Sequence, residues 1–152
     1  MKNKIFRFLF PALTLLFVLF VFSNSMKNAT ESSEESGRLM EWLISVFPAL
    51  AGKIGQFFIR KAAHFSEFGV LGVLFGLSNR LKCSSWYTEG REKLFSRAGL
   101  FLISVPLFDE TIQLFVPGRS GEIRDLWIDI AGGTLGFLMT LLLTGKKKKS
   151  NR

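Results

Sequence analysis

Apolar residues run along this chain in four blocks, and three of the blocks are interrupted by polar positions near one end. Phe8 to Phe22 holds no charged residue, and Ala98 to Phe108 and Ile130 to Thr144 are also free of Lys, Arg, Asp and Glu. A bilayer-spanning helix needs about 20 largely apolar residues. Segments 5–22, 62–79, 97–115 and 125–144 meet that length once polar residues near their ends are admitted. The pattern predicts an all-α membrane protein with four transmembrane helices, organised as one membrane domain over residues 1–152.

The segment between the first two blocks, 23–59, is patterned differently. Its opening, "SNSMKNATESSEESG", reads as a polar loop. In "RLMEWLISVFPAL", Leu39, Leu43, Val46 and Leu50 fall at helical spacing, flanked by Met40, Ile44 and Phe47. At about a dozen residues such a helix is too short to span, so a short extracytoplasmic interfacial helix is expected, a lid or brace. Pro48 should end or kink it. "AGKIGQFF" reads as a glycine-containing approach to the second span. The first block imitates a secretion signal, with Lys2, Lys4 and Arg7 ahead of it and Val21-Phe22-Ser23 behind. Its apolar run is longer than a cleavable signal usually has, which favours an uncleaved anchor. Pro11 sits in the first turns, where its missing N–H costs little.

Composition agrees with this reading: 48% of the residues are hydrophobic, 17 of them Phe, too many for one water-soluble core of this length. No glycine-rich phosphate loop, Cys/His zinc pattern or solenoid repeat argues for a soluble multidomain protein. Charge then sets orientation. The N-terminal tip, the loop between spans two and three, and the tail 145–152 together hold thirteen basic residues against Glu89 and Glu92, a net +11. The remaining segments hold seven basic residues against ten acids, a net −3. The positive-inside bias places both termini in the cytoplasm. Lys146 to Lys149, directly after a span, read as a topology anchor and a contact for anionic lipid. Without an aromatic stacking platform the basic run does not suggest nucleic acid. The single cysteine, Cys83, falls in the cytoplasmic loop and permits no intramolecular disulfide.

With this orientation the awkward residues converge. Span two runs inward, so His64 and Glu67 lie near its outer end, with Arg60 and Lys61 at the rim. Span three runs outward and carries Asp109, Glu110 and Gln113 to the same side. The outer turn "VPGRSGEIRD" bears Arg119, and span four opens with Asp125 and Asp129. His64/Glu67 and Glu110/Gln113 are spaced i,i+3 and Asp125/Asp129 i,i+4, so each pair shares a helix face. Ionisable groups in membrane helices face protein or a watery cavity, because hydrocarbon is costly for them. Three helices are therefore expected to line one outward-facing polar pocket, with the Pro-Gly turn bringing Arg119 over it. Arg119 either neutralises the carboxylates or binds an anionic headgroup bidentately. Gly72/Gly76 and Gly132/Gly136 form small-xxx-small pairs suited to close helix packing; a homo-oligomer face is their other use.

"RKAAHFSEFGVLGVL" and "DETIQLFVPGRSGEIRDLWIDIAGGTLG" resemble the VanZ-like family of small bacterial membrane proteins. The resemblance runs through His64, Phe65, Glu67 and Phe68, then Asp109, Glu110 and Gln113. It continues through Pro117, Gly118, Arg119, Asp125, Asp129 and Gly133. Phe68 stands where the family often has tyrosine and Asp129 where it often has asparagine. The resemblance implies an integral envelope protein. The family's founding member is linked to lowered susceptibility to the glycopeptide teicoplanin, while most relatives lie outside resistance clusters.

Three functions fit these residues. The first is a pocket for an anionic membrane lipid, a lipid-linked precursor or a glycopeptide-related ligand, with Arg119, His64, Glu67, Gln113 and Asp125 in contact. The second is a membrane-embedded hydrolase or transferase using His64, Glu67, Asp109, Glu110 and Asp129 as acids and bases. No cofactor is required by the sequence, though a divalent metal is possible; one histidine among several carboxylates suits a hard metal or a mixed site better than structural zinc. No G-x-S-x-G nucleophile motif is present. The third is structural, with the polar groups pairing to fix the bundle.

Overall fold

The computed structural model describes residues 2–80 and 90–144. Cys83 and the basic tail at 145–152 lie outside the described residues. The chain is all-helical there, with α1 at Lys2–Ser25, α2 at Ala29–Val46, α3 at Gln56–Arg80, α4 at Gly90–Gln113 and α5 at Ile123–Thr144. A 3-10 turn, Pro48–Leu50, separates α2 from α3. α1, α3, α4 and α5 alternate in direction, so α1 and α4 finish where α3 and α5 begin. α2 lies at that shared end.

The four expected spans each coincide with one of these long helices, except that α4 stops at Gln113, two residues short of the expected end at Phe115. α1 over Phe8–Ser25 and α5 over Ile123–Thr144 are long and apolar enough to cross a membrane. The segment expected to be a loop departs from expectation, because α2 starts at Ala29 and includes all of "ATESSEESG". The reason is local. Asn28 Oδ1 accepts the Glu31 N–H at 3.0 Å, and the Glu31 carboxylate accepts the Asn28 N–H at 3.0 Å. This reciprocal capping box satisfies two backbone donors that a helix start otherwise leaves open. α2 is thus 18 residues long rather than about a dozen. As Pro48 predicts, the helix stops at Val46. α3 begins six residues ahead of Ala62, taking Gln56, Phe57 and Phe58 out of the expected approach segment.

The closest packing is between α3 and α5, and glycine makes it. A β-carbon on Gly72 would stand 2.0 Å from the Gly133 carbonyl oxygen, and one on Gly136 would stand 2.0 Å from that of Gly69. One on Gly132 would meet the Phe65 carbonyl oxygen at 2.3 Å. The expected small-residue pairs are therefore spent on a seam within the chain. Around it, Val21, Phe68, Leu71 and Val105 form one buried cluster joining α1, α3 and α4. Leu94, Ala98, Leu102 and Phe137 form another. Phe75 and Phe101 stack across it at 4.3 Å between centroids. Thr14 on α1 and Ser78 on α3 share a buried hydrogen bond of 2.9 Å.

Candidate functional site

Above these apolar layers the shared end of the bundle is polar. His64 and Glu67 come from the first turns of α3, Asp109, Glu110 and Gln113 from the last turn of α4, and Asp125 and Asp129 from the start of α5. All but Glu67 are buried, and Asp109 and Asp129 have no exposed surface at all. The helical spacings explain the order: Phe68, one turn below His64, and Leu71, two turns below it, close the site from beneath with fully buried apolar side chains.

Hydrogen bonds link the members across helices. Ser25 Oγ donates to Asp109 Oδ1 at 2.5 Å, and Gln113 Nε2 donates to Asp109 Oδ2 at 2.9 Å. Glu110 accepts the backbone N–H of Glu122 at 2.8 Å, tying α4 to the loop before α5. Asn24 Nδ2 donates to Glu67 at 3.0 Å. His64 Nδ1 lies 3.4 Å from Asp129 Oδ1, but neither Nδ1 nor either Asp129 oxygen takes a hydrogen bond. The close approach is electrostatic, without hydrogen-bond geometry.

Arg119 and Lys61 divide the cationic work in a way the sequence did not suggest. Lys61, expected at the rim, is buried, ion-paired to Asp125 and also bonded to Glu122 at 3.3 Å. Arg119 forms no ion pair among the described residues. Its guanidinium donates to Gln113 Oε1 at 2.9 Å and to the backbone carbonyls of Asn24 and Lys27 at 3.4 Å. Gly118 adopts φ 75°, which glycine allows without strain, and turns the chain so that Arg119 points back over α4. Burial and the neighbouring Arg60 lower the Arg119 pKa, while Asp109, Glu110 and Asp125 act the other way. An arginine remains charged under such opposition.

α1 and α2 also contribute, which sequence reasoning missed. Asn24 and Ser25 reach the acids from the end of α1, and Lys27, Ser32, Glu35 and Ser36 form one wall of a cavity. The only signal was a pair of polar residues directly after an apolar run, at the end where the acids gather. The cavity has a volume of about 210 Å³ and is completed by Ile59, Arg60, Ala63, His64, Glu67 and Arg119. Gln113 and Asp125, expected as ligand contacts, do not line it; they hold Arg119 and Lys61 from behind. Asp109, Glu110 and Asp129 likewise lie deeper than the cavity wall. Arg60 Nε is buried beside the cavity without a hydrogen-bond partner.

Two helices long and apolar enough to cross a membrane, with a buried ionisable cluster at one end of the bundle, point to a small α-helical membrane protein. The family model described as VanZ/LLP1 matches residues 8–144, and the chain belongs to that family. Comparison with curated proteins and with solved structures gives no match.

Proposed function

We propose that the chain is a four-span envelope membrane protein, one domain with both termini cytoplasmic, whose outward cavity binds an anionic headgroup. The observation that carries this reading is the cavity itself. Arg60 and Arg119 line it and a buried Arg60 nitrogen still lacks a partner, while Lys27, also in the wall, is held by Glu35 at 2.7 Å. A phosphate group matches that arrangement, being an acceptor that arginine can grip with two parallel N–H groups. A membrane phospholipid and a lipid-linked cell-wall precursor share this chemistry. Through a precursor the protein would bear on glycopeptide susceptibility.

The four-span reading has support beyond α1 and α5. α3 and α4 carry the polar site, which lowers their mean hydropathy, yet their outward faces are apolar. Phe57, Phe58 and Val70 on α3 and Leu100, Ile103, Leu107 and Phe108 on α4 are exposed. A helix that is apolar toward its surroundings and polar toward its neighbours suits a bilayer, where polar groups turn inward. Trp127, exposed one turn into α5, and Trp42 on α2 lie near the polar end, as aromatic residues do at a membrane interface. The purely structural reading is disfavoured by the incomplete pairing of Arg60, His64 and Asp129.

Lipid extracted from purified protein, identified by mass spectrometry, tests the pocket. Arg119→Ala is expected to remain folded, at a lower melting temperature because Gln113 and two carbonyls lose a donor, and to lose about tenfold in headgroup occupancy. Arg119→Lys should fold and bind weakly, since it keeps the charge but loses the planar fork. Phospholipid and precursor are told apart by their masses. Wild-type occupancy in both variants overturns the reading. A reporter fused after Arg152 checks topology, and activity only outside the membrane would reject a cytoplasmic C terminus.

A further inference from the structure

We propose that His64, Asp109 and Asp129 form a binding site for one divalent cation of the zinc or manganese kind, beneath the floor of the cavity. One donor atom from each residue lies within 4.8 Å of the other two, and all three residues are buried. They come from α3, α4 and α5, so the cluster is made by the tertiary fold rather than by one acidic segment.

A second observation points independently to a ligand. Asp129 has no exposed surface, and neither of its oxygens receives a hydrogen bond. His64 Nδ1, facing it at 3.4 Å, is equally unserved. Buried polar groups in folded proteins are nearly always partnered, and an ionised carboxylate is the most costly to leave bare. Of the nearby cations, Lys61 holds Asp125 and Glu122, Arg119 holds Gln113 and two backbone carbonyls, and Arg60 forms no ion pair among the described residues. A cation among the three would satisfy the unserved atoms together and balance two carboxylates in a region of low dielectric.

Asp109 is already oriented for this. Its two oxygens accept from Ser25 and Gln113 at 2.5 and 2.9 Å. Each carboxylate oxygen keeps a further lone pair for a metal. Outer hydrogen bonds of this kind fix a metal ligand's direction. The donor set is one imidazole nitrogen and two carboxylate oxygens with no thiolate. Imidazole favours zinc and its neighbours, and carboxylate favours manganese and harder ions, so a mixed set selects the borderline cations. Ligands to zinc sit about 2.0–2.2 Å from the ion, so the three atoms need to close by roughly an ångström. His64 also lines the cavity, which leaves the free coordination positions on that side.

This site stands apart from the headgroup reading, because metal binding is measured with no lipid present. The full chain, purified in detergent through an affinity tag lacking histidine, is stripped with EDTA, loaded with ZnCl2 or MnCl2 and desalted. Metal is then counted by mass spectrometry. The expected result is about one ion per chain, with Co2+ in its place giving visible d–d bands that shift in His64→Gln. Asp129→Asn should lose the ion. Ser25→Ala, outside the donor set, should retain it with about tenfold or more weaker affinity. Wild-type protein with an intact helical spectrum that retains none of Zn2+, Mn2+ or Co2+ overturns the proposal, and the cluster is then a bare imidazole–carboxylate pair. Wild-type Co2+ bands unchanged in His64→Gln overturn it too, whatever the stoichiometry.

Discussion

α3 and α5 meet twice, by opposite means. In the apolar part of the bundle they touch where side chains are missing, with Gly72 on Gly133 and Gly136 on Gly69. At the polar end they touch through long ionisable side chains, Lys61 on Asp125 and His64 facing Asp129. The first contact gains its energy from close backbone approach, which in lipid must replace the hydrophobic drive available in water. The second burns stability in desolvation and recovers it only where partners are complete. The seam can therefore serve as a rigid hinge pin that holds a less comfortable cluster in register.

Substitutions at the seam are expected to be the most damaging. Gly136→Val drives a side chain into the Gly69 carbonyl and should cost on the order of 4–5 kcal/mol, seen as loss of folded protein in size-exclusion thermostability. A Gly136→Ala protein that melts like wild type would show that the seam yields, and the contrast between the regions would fail. Next comes Lys61→Met, which leaves buried Asp125 unpaired and should cost about 3–5 kcal/mol. Adding Asp125→Leu should recover most of that loss in the same assay. If the double variant is no better than the single, Lys61 matters for something other than Asp125.

Ser25→Ala should cost less, about 1–3 kcal/mol, because Asp109 loses one of two donors but keeps Gln113. Chemical unfolding in detergent resolves such a difference. The smallest effect belongs to Gly118→Ala, at about 1 kcal/mol for a left-handed residue with a β-carbon. Its value lies in what it moves: Arg119 should lose register with Gln113, and headgroup occupancy should fall more than stability does. A fall in stability alone would separate Arg119 from the cavity.

Much of this contrast could be read from the sequence, for reasons that differ by region. The apolar blocks and glycine spacings repeat along a helix, so periodicity exposes them. The polar residues were placed at one end by counting helix directions, which needs no side-chain detail. Pairings were harder. Nothing in the spacing says that Lys61 rather than Arg119 meets Asp125, because that depends on the rotation of α3 about its axis and on where the Gly118 turn aims Arg119. Asn24 and Ser25 escaped notice because α1 has no acid to mark its inner face. The start of α2 was legible in principle: Asn28 and Glu31 have the spacing of a capping box, but the serine- and glutamate-rich run around them looks like a loop.

The long-range bonds of the polar end also impose an order on how the chain is made. Lys61 is synthesised 64 residues before its partner Asp125. Asp109 reaches a partner, Ser25, that was synthesised 84 residues earlier. On the four-span reading, α3 is therefore inserted before Asp125 and Asp129, the acids facing its lysine and histidine, have been made. On that reading, a chain stopped at Gly121 is expected to turn over faster than the full chain in a pulse–chase experiment, because its second span lacks both acids. Completion of the last helix would then be the event that turns a poorly tolerated insertion intermediate into a protein the membrane can keep.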